Sequence, residues 1–149
     1  MKKYIITISR EFGCNAREIG RTLASRLGVP FYDKDLVDMA AAKAGVNREV
    51  IVESDEVMNR KQSRLFDEFG YGSTTWFYSE KAINAQVAVI REIADRNVSC
   101  IMFGRCSDYV LREYPNVLNL FFYAPLEKRI DHIAKTYNLT KKNSEKMIK

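Results

Sequence analysis

The chain has 149 residues, 46% hydrophobic and 29% charged, which allows one domain with a real core and excludes wholesale disorder. Its formal net charge of +5, from 24 Lys and Arg against 19 Asp and Glu, suits an anionic ligand, but the basic residues are spread along the chain, which argues against a nucleic-acid-binding tail. A lone histidine, His132, excludes a multi-histidine metal site; Cys14, Cys100 and Cys106 lack zinc-type spacing, and no apolar run nears the roughly 20 residues that span a bilayer.

Tyr4-Ile5-Ile6-Thr7-Ile8-Ser9 is apolar and β-branched and predicts a buried strand. Arg10 to Ala16, with turn-forming Gly13 and Asn15, predicts a loop. Arg17 to Leu27 predicts a helix stopped by Gly28, its Ile19, Leu23 and Leu27 facing the sheet. Val29 to Tyr32 is a short second strand, and a helix follows over Lys34 to Ala44. Residues 53–77 read as a mobile or substrate-covering insertion. Tyr78 to Asn97 predicts a long helix with an apolar stripe at Ile83, Val87, Ile90 and Ala94. Ser99 to Phe103 is a third, buried strand ended by Gly104-Arg105, then Ser107 to Glu113 a short helix and Val117 to Tyr123 the fourth strand. Pro125 opens a helix with a stripe at Leu126, Ile130, Ile133 and Tyr137, and Thr140 caps a last helix through Lys149.

Strands alternate with helices four times, which predicts a three-layer α/β/α domain with a mostly parallel sheet over residues 1–149. The chain ends on a basic run where such a domain usually has one more strand. The expectation is a single domain lacking its C-terminal lid and last strand, with an open sheet edge at which a second copy would form a homodimer. No secretory signal is visible at Met1-Lys2-Lys3-Tyr4, so the expected compartment is the cytoplasm.

The chemistry concentrates in Ser9-Arg10-Glu11-Phe12-Gly13-Cys14-Asn15-Ala16-Arg17-Glu18-Ile19-Gly20. A tight loop between strand and helix leaves backbone N–H groups without partners, and the helix dipole adds positive character there. Arg10 and Arg17 add fixed positive charge, so a phosphate suits the place. The spelling departs from G-x-x-x-x-G-K-[ST]. With Arg17 aligned to the lysine, Glu11 stands at the first glycine, Ala16 at the second and Glu18 at the Ser/Thr. On pattern alone, an ordinary strand-to-helix turn is an equal reading.

Four stretches together are more specific. Ile6 to Gly13 with Arg17-Glu18-Ile19-Gly20, then Phe31-Tyr32-Asp33-Lys34-Asp35, then Phe103-Gly104-Arg105-Cys106-Ser107-Asp108-Tyr109-Val110-Leu111, then Val117 to Arg129 through Ala124-Pro125-Leu126, resemble the cytidylate kinase-like family in order and with compatible spacing. The resemblance implies a P-loop NTP hydrolase-like fold, ATP with Mg²⁺ at the loop, and transfer of the γ-phosphoryl group to a small acceptor, by analogy a nucleoside monophosphate such as CMP. It implies that Arg10, Gly13, Cys14, Asn15, Ala16, Arg17 and Glu18 hold the nucleotide. Arg17 stands where other P-loop kinases have lysine, and Arg17 and Arg105 serve catalysis. Asp33, Asp35, Arg105, Asp108 and Arg129 fall to the acceptor, the two aspartates orienting it or holding Mg²⁺ through water. Other readings stand beside these: a helix cap for Asp33, a pairing of Arg105 with Asp108, a solvated helix face for Arg129. Family members usually carry G-S-G-G before the arginine, whereas this chain has Gly13-Cys14-Asn15-Ala16, and alanine does not tolerate positive φ. The alternative is therefore a non-catalytic nucleotide- or anion-binding regulatory protein with a degenerate loop.

Overall fold

The computed structural model describes residues 2–49, 51 and 74–148, with side chains in the last stretch from Glu80 onward. Its strands are β1 (Ile5–Arg10), β2 (Phe31–Tyr32), β3 (Cys100–Phe103) and β4 (Val117–Phe122). Its helices are α1 (Ala16–Leu27), α2 (Lys34–Ala44), α3 (Thr74–Asp95), α4 (Ser107–Val110), α5 (Leu126–Tyr137) and α6 (Lys141–Ile148). The chain divides into two compact units, Met1–Phe31 with Ser99–Lys149, and Tyr32–Val98.

The first unit is built on β1. The sheet order is β2-β3-β1-β4, and β1 runs parallel to both neighbours. Two flanking strands satisfy its backbone, so Ile5, Ile6, Thr7 and Ile8 are all buried, as the near-continuous apolar run requires. Thr7 is the polar exception, and its Oγ1 donates to Asn119 Oδ1 of β4 at 2.6 Å. Ile6 and Ile8 pack with Ile101, Phe103, Ala16 and Ala24 into one core, with Leu120 and Phe122 at its margin.

α1 meets this core through a different face from the one expected. Ala16, Gly20 and Ala24 are its buried residues, whereas Ile19 and Leu27 are more than 40% exposed and Leu23 is half-buried. The reason is distance. A Cβ on Gly20 would lie 2.8 Å from Phe31 Cε2 and 2.9 Å from Ile8 Cδ1, so the helix backbone sits too close to the strands for large side chains. β4 mixes half-buried and exposed positions and leaves Leu118 and Phe121 mostly exposed; it ends one residue short of the expected boundary, with Tyr123 exposed beyond it. In α5 only Ile133 is fully buried; Leu126 and Tyr137 of the expected stripe are exposed. α4 is a single turn, shorter than the helix expected over 107–113.

The second unit contains the pair α2 and α3. α2 buries Leu36, Val37, Ala40, Ala41 and Ala44; α3 buries Ala82, Ala85, Gln86, Val89, Ile90 and Ile93. The α3 seam is thus turned from the expected stripe: Ile90 is kept, while Ile83, Val87 and Ala94 are half-buried. Alanines on both helices let the backbones approach, which moves the seam toward the small residues. Lys43 and Glu92 pair across the two helices. The insertion expected over 53–77 lies outside the described residues as far as residue 73, and 74–77 belong to α3.

The cysteines separate by position. Cys100 is fully buried in β3, and burial pushes its thiol up to about 11 from 9.0. Between those values the folded chain keeps a proton that the unfolded chain releases, so the Cys100 contribution to stability is complete below pH 9 and is lost as pH rises toward 11. The expected result is a urea midpoint that falls over that window and falls less steeply in Cys100→Ala. Iodoacetamide at pH 8 should label exposed Cys106 and spare Cys100 until the protein is unfolded.

Candidate functional site

The loop between β1 and α1 continues the sheet before it turns. The Glu11 N–H donates to the Phe122 carbonyl at 2.9 Å, prolonging the β1–β4 ladder by one bond. Cys14 Sγ lies 3.7 Å from the same carbonyl, which it meets as a weak donor. The Cys14 side chain therefore faces the base of the loop. Positive φ occurs at Gly13 (88°) and Asn15 (62°). Asn15 is among the residues that tolerate this conformation. Ala16 is already helical and buried, so the strain expected there does not arise. The Ile19 N–H makes the first bond back along the helix, to the Asn15 carbonyl at 3.2 Å. By helix geometry the amides of Ala16, Arg17 and Glu18 precede that bond and point out of the N-terminus.

α5 supports the loop from outside. A Cβ on Gly13 would lie 3.0 Å from Ile133 Cγ1 and 3.2 Å from both Cβ and the carbonyl oxygen of Arg129. Arg129 Nε donates to the Ala124 carbonyl at 3.0 Å and sits 3.4 Å from Glu11 Oε2; its Nη1 reaches the Phe12 carbonyl at 3.4 Å. The Ala124 N–H approaches the same Glu11 oxygen at 3.5 Å. Arg129, expected on the acceptor or on a solvated face, is thus placed against the loop. Arg129→Ala should lower stability by about 2 kcal/mol, because a charged, mostly buried fork with several acceptors is removed. Arg129→Lys should restore less than half, since a single ammonium cannot span the same partners. Urea unfolding of the three proteins measures both.

The open side of the loop carries the cations. Arg10 ends β1 and Arg17 is the second residue of α1; their Cζ atoms lie 4.4 Å and 5.2 Å from the centroid of the Phe103 ring. The end of β1 and the start of α1, either side of one short loop, therefore bring guanidinium groups to the ring of Phe103 at the C-terminal ends of β1 and β3. That edge is where open α/β sheets take ligands. The next residues of the chain turn left-handed in succession: Gly104 at 71°, Arg105 at 60° and Cys106 at 52°. Ser107, itself buried, closes the turn by donating both Oγ, at 2.8 Å, and N–H, at 3.2 Å, to the Gly104 carbonyl. Two successive non-glycine residues in this region cost roughly 1–2 kcal/mol each, and Arg105 is held at the sheet edge by that turn. Asp108 follows in the first turn of α4.

Asp33 and Asp35 belong to the second unit. Asp33 is buried and occupies the N-cap position of α2, yet its side chain makes no capping hydrogen bond. Asp35 is exposed in the first turn. Among the described residues no three His, Cys, Asp or Glu gather as a metal site, and no helix is long and apolar enough to cross a membrane.

Sequence reading missed two participants, Phe103 and Glu11. The period of two carries the signal for the first. Ile8 pairs with Phe103, and Arg10 is two residues beyond Ile8, so Arg10 and Phe103 share a face of the sheet. Glu11 gave no signal, because its partner Arg129 is far along the chain.

A model of the cytidylate kinase-like family matches residues 5–149. Among solved structures, the chain is similar to an uncharacterized protein from Eubacterium ventriosum, with 21% identity and a TM-score of 0.67 over 98% of this chain and 69% of that one. It is also similar to shikimate kinase from Acinetobacter baumannii in complex with shikimate, with 15% identity and a TM-score of 0.50 over 98% of this chain and 72% of that one. No curated protein sequence matches this one. At such identities the likeness speaks for the fold, an α/β fold of the P-loop kinase type with a mostly parallel sheet.

Proposed function

The chain belongs to the cytidylate kinase-like family, and from that premise we propose that it binds ATP at the β1–α1 loop and transfers the γ-phosphoryl group to a small acceptor, a nucleoside monophosphate such as CMP. One observation carries the reading: Arg10 and Arg17 converge on Phe103 beside the amides that open α1. Phosphoryl transfer asks a protein mainly to position phosphates and to offset charge on the equatorial oxygens. Arg17 does so from the helix N-terminus, in the place other P-loop kinases give to lysine, and Arg10 adds a second fork. Gly13 and Asn15 supply the left-handed turns that let the chain wrap the phosphates. Arg105, planar and always charged, grips the acceptor phosphate bidentately.

Magnesium supplies charge neutralisation on the β and γ phosphates when the nucleotide carries it. Mg²⁺ keeps most of its water and needs only one or two carboxylates besides phosphate. The proposed setting is the cytoplasm.

The test is calorimetry with ATP·Mg²⁺ and with CMP, followed by a coupled assay for ADP release against several monophosphates. Heat with both ligands and ADP release dependent on an acceptor are expected. Nucleotide binding without turnover would move the protein to the regulatory reading, which the side chains of Cys14 and Ala16, neither turned toward a ligand, favour. No heat with ATP·Mg²⁺ removes the kinase reading.

A further inference from the structure

We propose that Phe103 is a positioning residue: its ring is a platform on which Arg10 and Arg17 stack, keeping two guanidinium groups together at the mouth of the loop before any phosphate arrives. The inference rests on the phosphate-site reading above and adds to it a residue outside the loop.

Long side chains resist being fixed, and placing one costs conformational freedom. A ring face is one group that can gather them. An aromatic face carries partial negative charge and attracts a guanidinium within about 6 Å of its centroid. Both Cζ atoms meet that condition at Phe103, at 4.4 Å and 5.2 Å. The ring itself is fixed. It is 3% exposed, and it packs against Phe31 with centroids 5.8 Å apart and planes tilted by 45°. Phe31 in turn has Arg21 Cζ 6.0 Å from its centroid, so the platform belongs to a row of arginines on two rings. The next residue shapes the same place independently. A Cβ on Gly104 would lie 2.9 Å from Arg10 Nη1, so the glycine leaves the passage that the Arg10 fork occupies. A stack of this kind lowers the ordering cost of binding, because the forks are already gathered.

Being buried, Phe103 also serves the core, and the experiment must separate the two roles. Phe103→Met keeps an apolar side chain of similar bulk without a ring face; Phe103→Tyr keeps the face. The probe is inorganic tripolyphosphate, titrated by calorimetry, with thermal unfolding of each protein alongside. Losing two cation–π contacts predicts about tenfold weaker binding for Phe103→Met and a change within about twofold for Phe103→Tyr. A second readout needs no ligand. The arginine Nε–Hε resonances of Arg10 and Arg17 should be shifted by the ring in the wild type and in Phe103→Tyr, and return toward free-arginine positions in Phe103→Met. Should Phe103→Met fail to fold, Gly104→Ala takes its place, and it should move the Arg10 resonance more than that of Arg17 while weakening binding. A wild type that takes up tripolyphosphate beside a folded Phe103→Met that binds as tightly, with both resonances unmoved, overturns the positioning role alone. A wild type that takes up no tripolyphosphate overturns the phosphate site itself.

Discussion

Arg17→Ala should abolish measurable phosphoryl transfer and weaken ATP binding while leaving the fold intact. The stability half of this expectation comes from exposure. Arg17 lies on the exposed side of α1, whose sheet contacts run through Ala16, Gly20 and Ala24. Arginine and alanine are both good helix formers, so unfolding free energy should move by no more than about 0.5 kcal/mol. The functional half comes from charge. A donor aimed at the charge that develops on a transferring group is worth roughly 10²–10³ in rate when removed, about 3–4 kcal/mol. Arg17→Lys separates charge from shape. It matches the residue of the usual loop, keeps the point charge and loses the planar fork. Binding should therefore recover in part, and turnover less. Single-turnover ADP release and calorimetry on the three proteins measure the two effects. An Arg17→Ala protein that turns over at the wild-type rate would falsify the assignment of this loop to ATP.

Much of this was legible because it is local. The apolar run Tyr4 to Ser9, the turn residues Gly13 and Asn15 and the helix stop at Gly28 each act over a few residues, and β1 and α1 formed within a residue of their expected bounds. The register of the core was less legible. Hydrophobic periodicity assigned Ile19 and Leu27 to the sheet, but the spacing between helix and strands decided otherwise. Once the backbone of α1 approaches Phe31 and Ile8 this closely, only Ala16, Gly20 and Ala24 fit beneath it. The same preference for small residues turned the seam of α3 toward Ala82 and Ala85. Periodicity weighs residues by their hydrophobicity, and close packing weighs them by size.

The site divides in the same way. Arg10, Arg17 and Arg105 were visible as cations near turns, and the structure puts all three at the C-terminal ends of β1 and β3. The bridge from Arg129 to Glu11 and the ring of Phe103 were not visible. They depend on contacts across more than ninety positions, which no local pattern encodes. The loop sequence also misled in an instructive way. Departure from G-S-G-G suggested strain at Ala16, yet positive φ is needed only at Gly13 and Asn15, and those are the two residues able to take it. What the loop gives up with Cys14 is a hydroxyl; the thiol instead meets the Phe122 carbonyl and ties the loop to β4.

Gly20→Val should be the most destabilising single change at the α1–sheet contact, by about 3 kcal/mol or more, and should carry nucleotide binding down with it. Two terms oppose each other at this position. Glycine inside a helix costs about 1 kcal/mol relative to alanine, so a substitution gains on propensity. Against that gain stands a Cβ placed 2.8 Å from Phe31 Cε2 and 2.9 Å from Ile8 Cδ1. Ile8 is fully buried in the central strand, so its methyl has little room to retreat. Overpacking of this kind costs about 1–3 kcal/mol. Gly20→Ala should therefore lose between roughly 0 and 2 kcal/mol net, and valine, with two further methyls and a poorer helix propensity, considerably more. Thr22→Ala on the exposed face of the same helix is the control and should stabilise by a few tenths of a kcal/mol. Any folded Gly20→Val must lift α1 from the sheet, and Arg17 lies three residues before Gly20 on that helix. Its guanidinium would leave the Phe103 ring, so affinity for ATP should fall even in molecules that remain folded. Urea unfolding and calorimetry read the two losses separately. A Gly20→Val protein as stable as the wild type would mean that α1 does not rest on β1 and Phe31 at this distance, and the placement of Arg17 beside Arg10 would go with it.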